Sequence, residues 1–342
     1  MTQINGSFCS MVELLDRSGE LIAEMVQAEA ARVTSGAAAA IALGTAACIT
    51  GMNGNAWEGL PTVEGFKNEI IIQRSHRYKY DRMVRLTGAR LVEVDASSGE
   101  QLDAAIGPAT AAIVVPAHLD ALPGTCSLAE TISVAHHRHI PVLVDAAYLN
   151  YPVQRLSSFT EAGADLVCFS AKYFWGPNSG GFICGRKSLI RAVAGLDFTQ
   201  YESGQHLSFG RPFKLDRTTI VGTVFALREW LDADHETRWE RYAQQADRLI
   251  TILSRSPAIC LSPSHFTMEE ALADGPTNCV VVTFTPESGL EAQGVAKQLA
   301  QGSPRIETIV LEEVLVIVME TVLEGQELEI AAALKTILQE KI

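Results

Sequence analysis

The sequence lacks an excess of basic residues and lacks any close pairing of its cysteines. Its 27 Lys and Arg are outnumbered by 40 Asp and Glu, which gives a formal net charge of −13. A surface of that sign repels polyanions, so tRNA or DNA is not an expected partner. The seven Cys include no CxxC pair and no tight cluster. This spacing predicts no metal site and favours reduced thiols in a cytoplasmic protein.

Long apolar runs and common nucleotide-binding motifs are also missing. The longest apolar run, residues 36–51, is shorter than the roughly 20 residues that a membrane-spanning helix needs. The N-terminus has no basic stretch followed by an apolar one, so a signal peptide is not expected. Neither GxGxxG after a strand nor GxxxxGK[ST] occurs. We therefore expect a soluble protein without a dinucleotide or P-loop site.

The hydrophobic pattern predicts an α/β fold with a mostly parallel central sheet. Apolar residues make up 47% of the 342, enough for one large domain and a smaller one. Short β-branched runs alternate with helical segments, which is typical of βα units. Strands are predicted at Glu69–Gln73, Arg90–Val94, 111–116, Val142–Asp145, Leu166–Ser170 and 181–184, and helices at 10–30, after Gly36, at 80–87 and at Leu128–His137.

The C-terminal third follows a different pattern. We predict a strand at 278–285, a helix at 290–301, a strand pair within 306–320 and a final helix at 325–340, together a compact α+β unit. The predicted organisation is an N-terminal helical arm (1–33), a large domain (34–225), and a connecting helix with a small C-terminal domain (226–342).

An acidic residue ends one of the predicted strands. Asp145 closes the apolar run Val142–Asp145, and ligands of open α/β sheets collect at the carboxyl ends of strands. A buried carboxylate needs a cationic partner, and the protonated pyridine nitrogen of pyridoxal 5'-phosphate (PLP) is one. The other interpretation is an Asp that caps a helix or closes a turn.

A lysine follows the next strand. Lys172 comes just after Leu166–Ser170 and is flanked by aromatic residues. Partial desolvation in such a position lowers an amine pKa and favours a Schiff base with a carbonyl. An ordinary surface lysine in a loop is the alternative.

A third segment suits a phosphate group. Ser35 and Gly36 precede a helix of small residues that begins at Ala37, and the N–H groups at a helix start bind anions. An ordinary capped helix would look the same. Taken together, a phosphate cradle, an acid at one strand end and a Lys at a later strand end occur in the order that a fold-type-I PLP site requires.

Two stretches carry a family resemblance. These are VEGFKNEIIIQRSHRYKYDRMVRLTGARLVEV and VDAAYLNYPVQRLSSFTEAGADLVCFSAKYFWGPNSGGFICGRKSLI. They resemble the selenocysteine-synthase (SelA)-like family of fold-type-I PLP enzymes, which includes L-seryl-tRNA(Sec) selenium transferase and the D-glucosaminate-6-phosphate ammonia-lyase type. Asn178 stands where the family usually has Gln, and Gly210 to Lys214 looks like its GR-x-x-K segment. The resemblance is strong over residues 30–225 and weak beyond them.

The resemblance implies a role for individual residues. Lys172 is the catalytic and Schiff-base lysine, and Asp145 is the partner of the pyridinium. The remaining cofactor contacts are expected from Ser35, Gly36, Ala37 and Ser170 at the phosphate, His76 stacked on the ring, and His118 near the ring. Substrate anions are expected at Arg74, Arg77 and Arg211, with Tyr148 within reach of the site.

The implied activity begins with removal of the substrate Cα proton. The expected reaction is α,β-elimination, of the ammonia-lyase or dehydratase type, on an amino acid or amino sugar acid. An amino-acid racemase or epimerase, a β-replacement synthase, and a non-catalytic binding protein of the same fold stay open. Since the cofactor domain is predicted to start by about residue 34, with one helix before it, a tRNA-binding domain like that of the selenium transferase is not expected. The resemblance also implies a homodimer or higher oligomer.

Overall fold

A computed structural model describes residues 6–120 and 122–339 of the chain. The chain forms two compact units, one ending at Asp232 and the other beginning at Ala233. The predicted boundary at 225/226 falls inside a helix of the first unit, Arg217–Asp232. Of the predicted N-terminal arm, residues 1–5 lie outside the described part.

The first unit is built on a seven-stranded sheet. Its strands are β1 (Ala30–Thr34), β2 (Glu69–Gln73), β3 (Arg90–Val94), β4 (Thr110–Pro116), β5 (Val142–Asp145), β6 (Leu166–Ser170) and β7 (Gly181–Gly185). Their spatial order is β1-β7-β6-β5-β4-β2-β3. Only β7 runs antiparallel to its neighbours, so the other six strands all point the same way. The predicted α/β class and mostly parallel sheet are confirmed.

Helices cover both faces of this sheet. They are α1 (Met11–Met25), α2 (Ala37–Thr50), α3 (Gly54–Gly59), α4 (Arg82–Arg85), α5 (Gly99–Ala105), α6 (Leu128–His137), α7 (Arg155–Glu161), α8 (Lys187–Leu196), α9 (Phe198–Ser203) and α10 (Arg217–Asp232). Successive strand residues point to opposite faces, so Val144 joins one hydrophobic core and Leu143 the other. A strand buried on both faces is apolar at every position, which explains the continuous runs in the sequence.

The N-terminal segment departs from the prediction. The helix predicted over 10–30 ends at Met25, and Ala30–Thr34 forms an edge strand paired with β7. Residues 1–33 therefore include most of a strand of the large sheet rather than a separate helical arm. The buried Arg32 on this strand pairs with Asp197, which holds β1 to the start of α9.

The second unit is an antiparallel sheet with helices. Its strands are β8 (Ile259–Phe266), β9 (Leu272–Ala273), β10 (Cys279–Phe284), β11 (Ile309–Leu311) and β12 (Val314–Val318), in the order β11-β12-β10-β8-β9. Its helices are α11 (His235–Leu253), α12 (Ala292–Gln301) and α13 (Gln326–Gln339). Val280, Val282 and Leu315 face these helices in one core. Within the described residues of the chain, no helix is both long and apolar enough to cross a membrane.

Candidate active site at the carboxyl edge of the large sheet

The predicted site residues follow the carboxyl ends of strands that run in parallel. The ends of β1, β2, β4, β5 and β6 share one edge of the sheet because these strands point the same way. The residues that follow those ends are Ser35, Gly36 and Ala37 after β1; Arg74, His76 and Arg77 after β2; His118 after β4; and Lys172 after β6, with Asp145 and Ser170 as terminal residues of β5 and β6. This edge is where open α/β sheets bind ligands.

Asp145 is a buried carboxylate held by two donors. It is 4% exposed, the Tyr78 hydroxyl donates to its Oδ2 at 2.5 Å, and the Ala147 N–H donates to its Oδ1 at 3.1 Å. Burial raises the pKa of Asp145, while the hydrogen bonds from Tyr78 and Ala147 and the charge of His118 act in the opposite direction. Among the described residues no Lys or Arg forms an ion pair with it. A cationic ring nitrogen would supply the missing partner.

Lys172 lies on a fixed turn but has an exposed side chain. The turn Ala171–Phe174 is closed by the Ala171 N–H, which donates to the Gly180 carbonyl at 2.9 Å. Asn150 Nδ2 also donates to the Tyr173 carbonyl at 2.5 Å. The Lys172 ammonium lies 4.6 Å from the centre of the Tyr173 ring, a cation–π contact. The predicted partial desolvation is not seen in the chain by itself, since the side chain is exposed.

The start of α2 has the form of an anion cradle. Gly36 is the N-cap with φ 85°, a conformation that only glycine adopts readily, and no side chain caps the helix. Gly181 of β7 lies against it, since a Cβ there would be 2.9 Å from Gly36 carbon atoms. This close approach brings the helix start next to Ser170, which pairs with Gly181 across β6 and β7. The uncapped N–H groups beginning at Ala37 suit a phosphate.

Aromatic rings connect the acid to the lysine. The ring of His118 lies 5.5 Å from that of Tyr78 and 5.5 Å from that of Tyr148. Tyr148 in turn lies 5.8 Å from Tyr173, whose ring contacts Lys172. The structure thus brings His118 and Tyr148 into one row of rings that runs from Tyr78, which contacts Asp145, to Tyr173, which contacts Lys172. These rings form a wall against which a flat cofactor can pack.

His76 requires a correction. It is 0% exposed, its Nδ1 lies 3.5 Å from Gln73 Nε2, and burial lowers its pKa. A side chain with no accessible surface has nothing to offer a cofactor ring in this conformation. His118, at the same edge, is partly exposed.

The three predicted substrate arginines are all engaged with acids. Arg74 pairs with Glu93 and Asp95, and Arg77 pairs with Asp81 and Glu93. Arg211 lies in the turn Arg211–Phe213, where it pairs with Glu202 and packs over the Tyr201 ring. Neither of these partners follows a strand end at the carboxyl edge. A substrate anion would compete with these carboxylates, so the role of the three residues in substrate binding stays a prediction.

Tyr78 is the residue that the sequence reasoning missed. It lies in the RYKYD run after β2, between Arg77 and Lys79, and basic residues of this kind are typical anion ligands. The available signal was its position, because a side chain that follows β2 shares the edge with the end of β5. What the pattern could not supply is the bond to Asp145, 67 residues away.

The residues present fit PLP. An uncapped helix start for the phosphate, a buried carboxylate without a basic partner for the ring nitrogen, an aromatic wall and a lysine with an exposed amine together define a PLP-type site. Across residues 6–120 and 122–339 no group of three or more His, Cys, Asp or Glu is arranged to hold a metal ion.

The comparisons with known proteins identify the family. Residues 65–265, more than half of the chain, match the model of the Aminotransferase class-V family. D-glucosaminate-6-phosphate ammonia lyase of Salmonella typhimurium (strain 14028s / SGSC 2262) is 31% identical over 310 residues, covering 86% of this chain and 77% of that protein. A 5'-C-glycyluridine monooxygenase-decarboxylase of a Streptomyces species is 29% identical over 311 residues, covering 86% of this chain and 72% of that protein.

A solved structure agrees with these matches. The structure of D-glucosaminate-6-phosphate ammonia-lyase superposes with a TM-score of 0.85 at 28% identity, covering 99% of this chain and 89% of that one. The chain belongs to the aminotransferase class-V family. It is an enzyme of PLP fold type I whose cofactor is PLP, and the resemblance seen in the sequence is confirmed. The alternative of a non-catalytic binding protein is set aside by these enzyme relatives.

Proposed function

We propose that this enzyme catalyses α,β-elimination from an amino acid or amino sugar acid, as an ammonia-lyase of the dehydratase type. The observation that carries the proposal is the likeness to an ammonia-lyase over nearly the whole chain, including both units. The net reaction converts a β-hydroxy-α-amino acid into an α-keto acid and ammonia. The Cα–H and Cβ–O bonds break with loss of water, Cβ gains a proton, and one water hydrolyses the resulting imine to the keto acid and ammonia.

The residues at the carboxyl edge of the large sheet have separate roles in this reaction. When bound, PLP withdraws electrons from the substrate Cα. Asp145 holds the charge at the ring nitrogen, and the start of α2 with Ser170 holds the phosphate. The amine of Lys172, on its fixed turn, takes the Cα proton. The departing hydroxyl needs a proton, and the aromatic wall contributes His118, Tyr148 and Tyr173 as titratable groups on the side of the lysine.

The proposal extends to the binding partners, the oligomeric state and the subcellular location of the enzyme. The proposed substrate is a small molecule, and a chain of net charge −13 is not suited to nucleic acid. We propose a cytoplasmic homodimer or higher homo-oligomer, in which a neighbouring subunit completes the site beside the exposed Lys172.

The cofactor and the lysine are tested first. The purified protein should show the visible absorption of lysine-linked PLP, and borohydride should fix the cofactor on the peptide that contains Lys172. Lys172→Ala should lose the absorption band and the adduct. Lys187→Ala, at the start of α8 and at the other edge of the sheet, is the matched control and should retain both.

The reaction is tested by its products. A panel of β-hydroxy amino acids and amino sugar acids, each with and without a phosphate, would be screened for ammonia and keto acid. Release of both supports elimination. Inversion of the substrate at Cα would indicate a racemase or epimerase, and incorporation of an added thiol would indicate a β-replacement synthase; either result would replace the proposal.

A further inference from the structure

We propose that Tyr78 is a positioning residue that donates a hydrogen bond to Asp145, keeps this carboxylate ionised and thereby keeps the proton on the ring nitrogen of bound PLP. The inference rests on the proposed role of Asp145 as the partner of that nitrogen. Tyr78, which follows β2, would thus affect the electronic state of the cofactor through Asp145, which ends β5.

The contacts of Asp145 leave room for this arrangement. Tyr78 Oη and Asp145 Oδ2 are 2.5 Å apart, and Asp145 Oδ1 accepts from the Ala147 N–H at 3.1 Å. An ionised carboxylate has about four lone-pair sites, so a ring N–H can still bind after these two donors. A protonated Asp145 would offer its own proton instead and leave the ring nitrogen neutral.

Tyr78 is held in place from its backbone and from its ring. The buried Asp81 carboxylate accepts from the Tyr78 N–H at 3.2 Å and from Arg77 Nε, and Arg77 also pairs with Glu93. On the other side, the His118 ring packs edge-on against the Tyr78 ring. The arginine predicted to bind substrate therefore stabilises the turn that carries the hydroxyl.

The phenol is a permanent donor. Burial, followed by the charge and the hydrogen bond of Asp145, raises the pKa of Tyr78 far above its usual value. The other titratable groups facing Asp145 are His118 and Cys168, its pairing partner on β6. Burial also raises the pKa of the Cys168 thiol well above its usual value, so that it stays uncharged. Tyr78 is thus the neutral group that supports the negative charge on Asp145 at every working pH.

The hydrogen bond from Tyr78 affects the position of one proton. This proton would lie either on an Asp145 oxygen or on the ring nitrogen of PLP, and no other bond would change when it moves. A donor to the carboxylate stabilises the pair in which Asp145 is ionised and the ring is cationic. Loss of the hydroxyl shifts the proton toward Asp145 and weakens the ring as an electron acceptor.

The test is nitrogen-15 NMR of the holoenzyme carrying PLP labelled at the ring nitrogen. In the native protein the signal should lie in the range of a protonated pyridine. In Tyr78→Phe it should move toward the unprotonated range, with cofactor affinity reduced about tenfold, as for a hydrogen bond to a charged group. Tyr80→Phe makes the same chemical change on the neighbouring, exposed ring and should leave both readouts unchanged.

A second variant keeps the test decisive. Asp81→Asn retains the Tyr78 hydroxyl but loosens its turn, and it should move the signal in the same direction by less. If neither variant moves the signal from the native value, the inference is overturned even though PLP is bound. If the native protein binds no PLP, the proposed function itself fails, which is a separate result.

Discussion

Two buried carboxylates on neighbouring strands differ in how they are partnered. Asp165 immediately precedes β6 and is 3% exposed, while Asp145 ends β5 and is 4% exposed. Asp165 pairs with Arg186 and with His136, and it accepts the Val142 N–H at 2.7 Å. Asp145 accepts from a phenol and one N–H, and among the described residues it has no ion pair with a Lys or Arg. The two acids lie at opposite edges of one sheet because the parallel strands β5 and β6 each carry one, at opposite ends.

The difference separates a structural acid from a functional one. The chain itself supplies an Arg and a His as hydrogen-bonded partners of Asp165, whereas at Asp145 the described residues supply no ion-paired Lys or Arg and only the nearby charge of His118. Asp145 also stands at the carboxyl edge, where ligands bind, while Asp165 stands at the other edge. An incompletely compensated acid at the ligand-binding edge is therefore the feature that points to an external cation, here the ring nitrogen of PLP.

The largest expected effect is on cofactor binding. Asp145→Asn should weaken PLP binding about 10²–10⁴-fold, because removing one member of a buried ion pair costs about 3–5 kcal/mol. Asp165→Asn should change the affinity by less than about threefold, since it acts only through fold stability at the other edge. Titration of the apoenzymes with PLP, followed by absorbance, compares the two. Equal losses would show that the edge at which an acid lies does not determine its role.

Four strands of the large sheet could be predicted from the sequence with their bounds. β2, β3, β5 and β6 have the predicted bounds, because short apolar β-branched runs end at turn residues. The positions of Asp145 and Lys172 at strand ends followed directly. β1 was missed because AARVT is short and continues an amphipathic helix, so no change of period marks it. β8 contains Pro263, which removes a ladder donor and conceals the strand.

The pairing of side chains between strands could not be predicted. Arg74 and Arg77 read as substrate ligands because their acidic partners Glu93 and Asp95 come from a separate strand and the loop after it. The burial of His76 could not be predicted either, since periodicity does not show which loop residues lose their exposure to solvent. Three-dimensional contacts between segments distant in sequence determined each of these outcomes.

The second effect is on stability. Asp165→Ala should reduce the free energy of unfolding of the apoenzyme by about 2–3 kcal/mol, because the buried Val142 N–H loses its acceptor and a charge-assisted contact is lost. The loss is kept moderate because the Arg186 and His136 side chains are 47% and 39% exposed and regain water. Urea unfolding measures the difference. Asp103→Ala, which breaks the exposed pair with Arg138, is the control and should have little effect; equal losses in the two variants would contradict a structural role for Asp165.

The smallest effect is a dependence of apoenzyme stability on pH. The folded-state pKa of Asp145 is raised above its usual value, with burial as the main cause. Between the unfolded and folded pKa values the native state therefore binds more protons than the unfolded state. The contribution of Asp145 to the free energy of unfolding is fully present below the unfolded-state pKa. It falls as the pH rises from the unfolded-state to the folded-state pKa, by at most about 1.4 kcal/mol per pH unit.

Asp145→Asn removes this titration. The free energy of unfolding of the variant, measured in urea between about pH 4 and 8, should decline less steeply than that of the native apoenzyme. Saturating PLP should flatten the native curve as well, because the cationic ring nitrogen then compensates the carboxylate that the fold leaves without a basic partner. Parallel curves for native and variant apoenzymes would mean that Tyr78 and the Ala147 N–H already stabilise the charge of Asp145 in full. The chain would then compensate the Asp145 carboxylate as fully as it compensates Asp165.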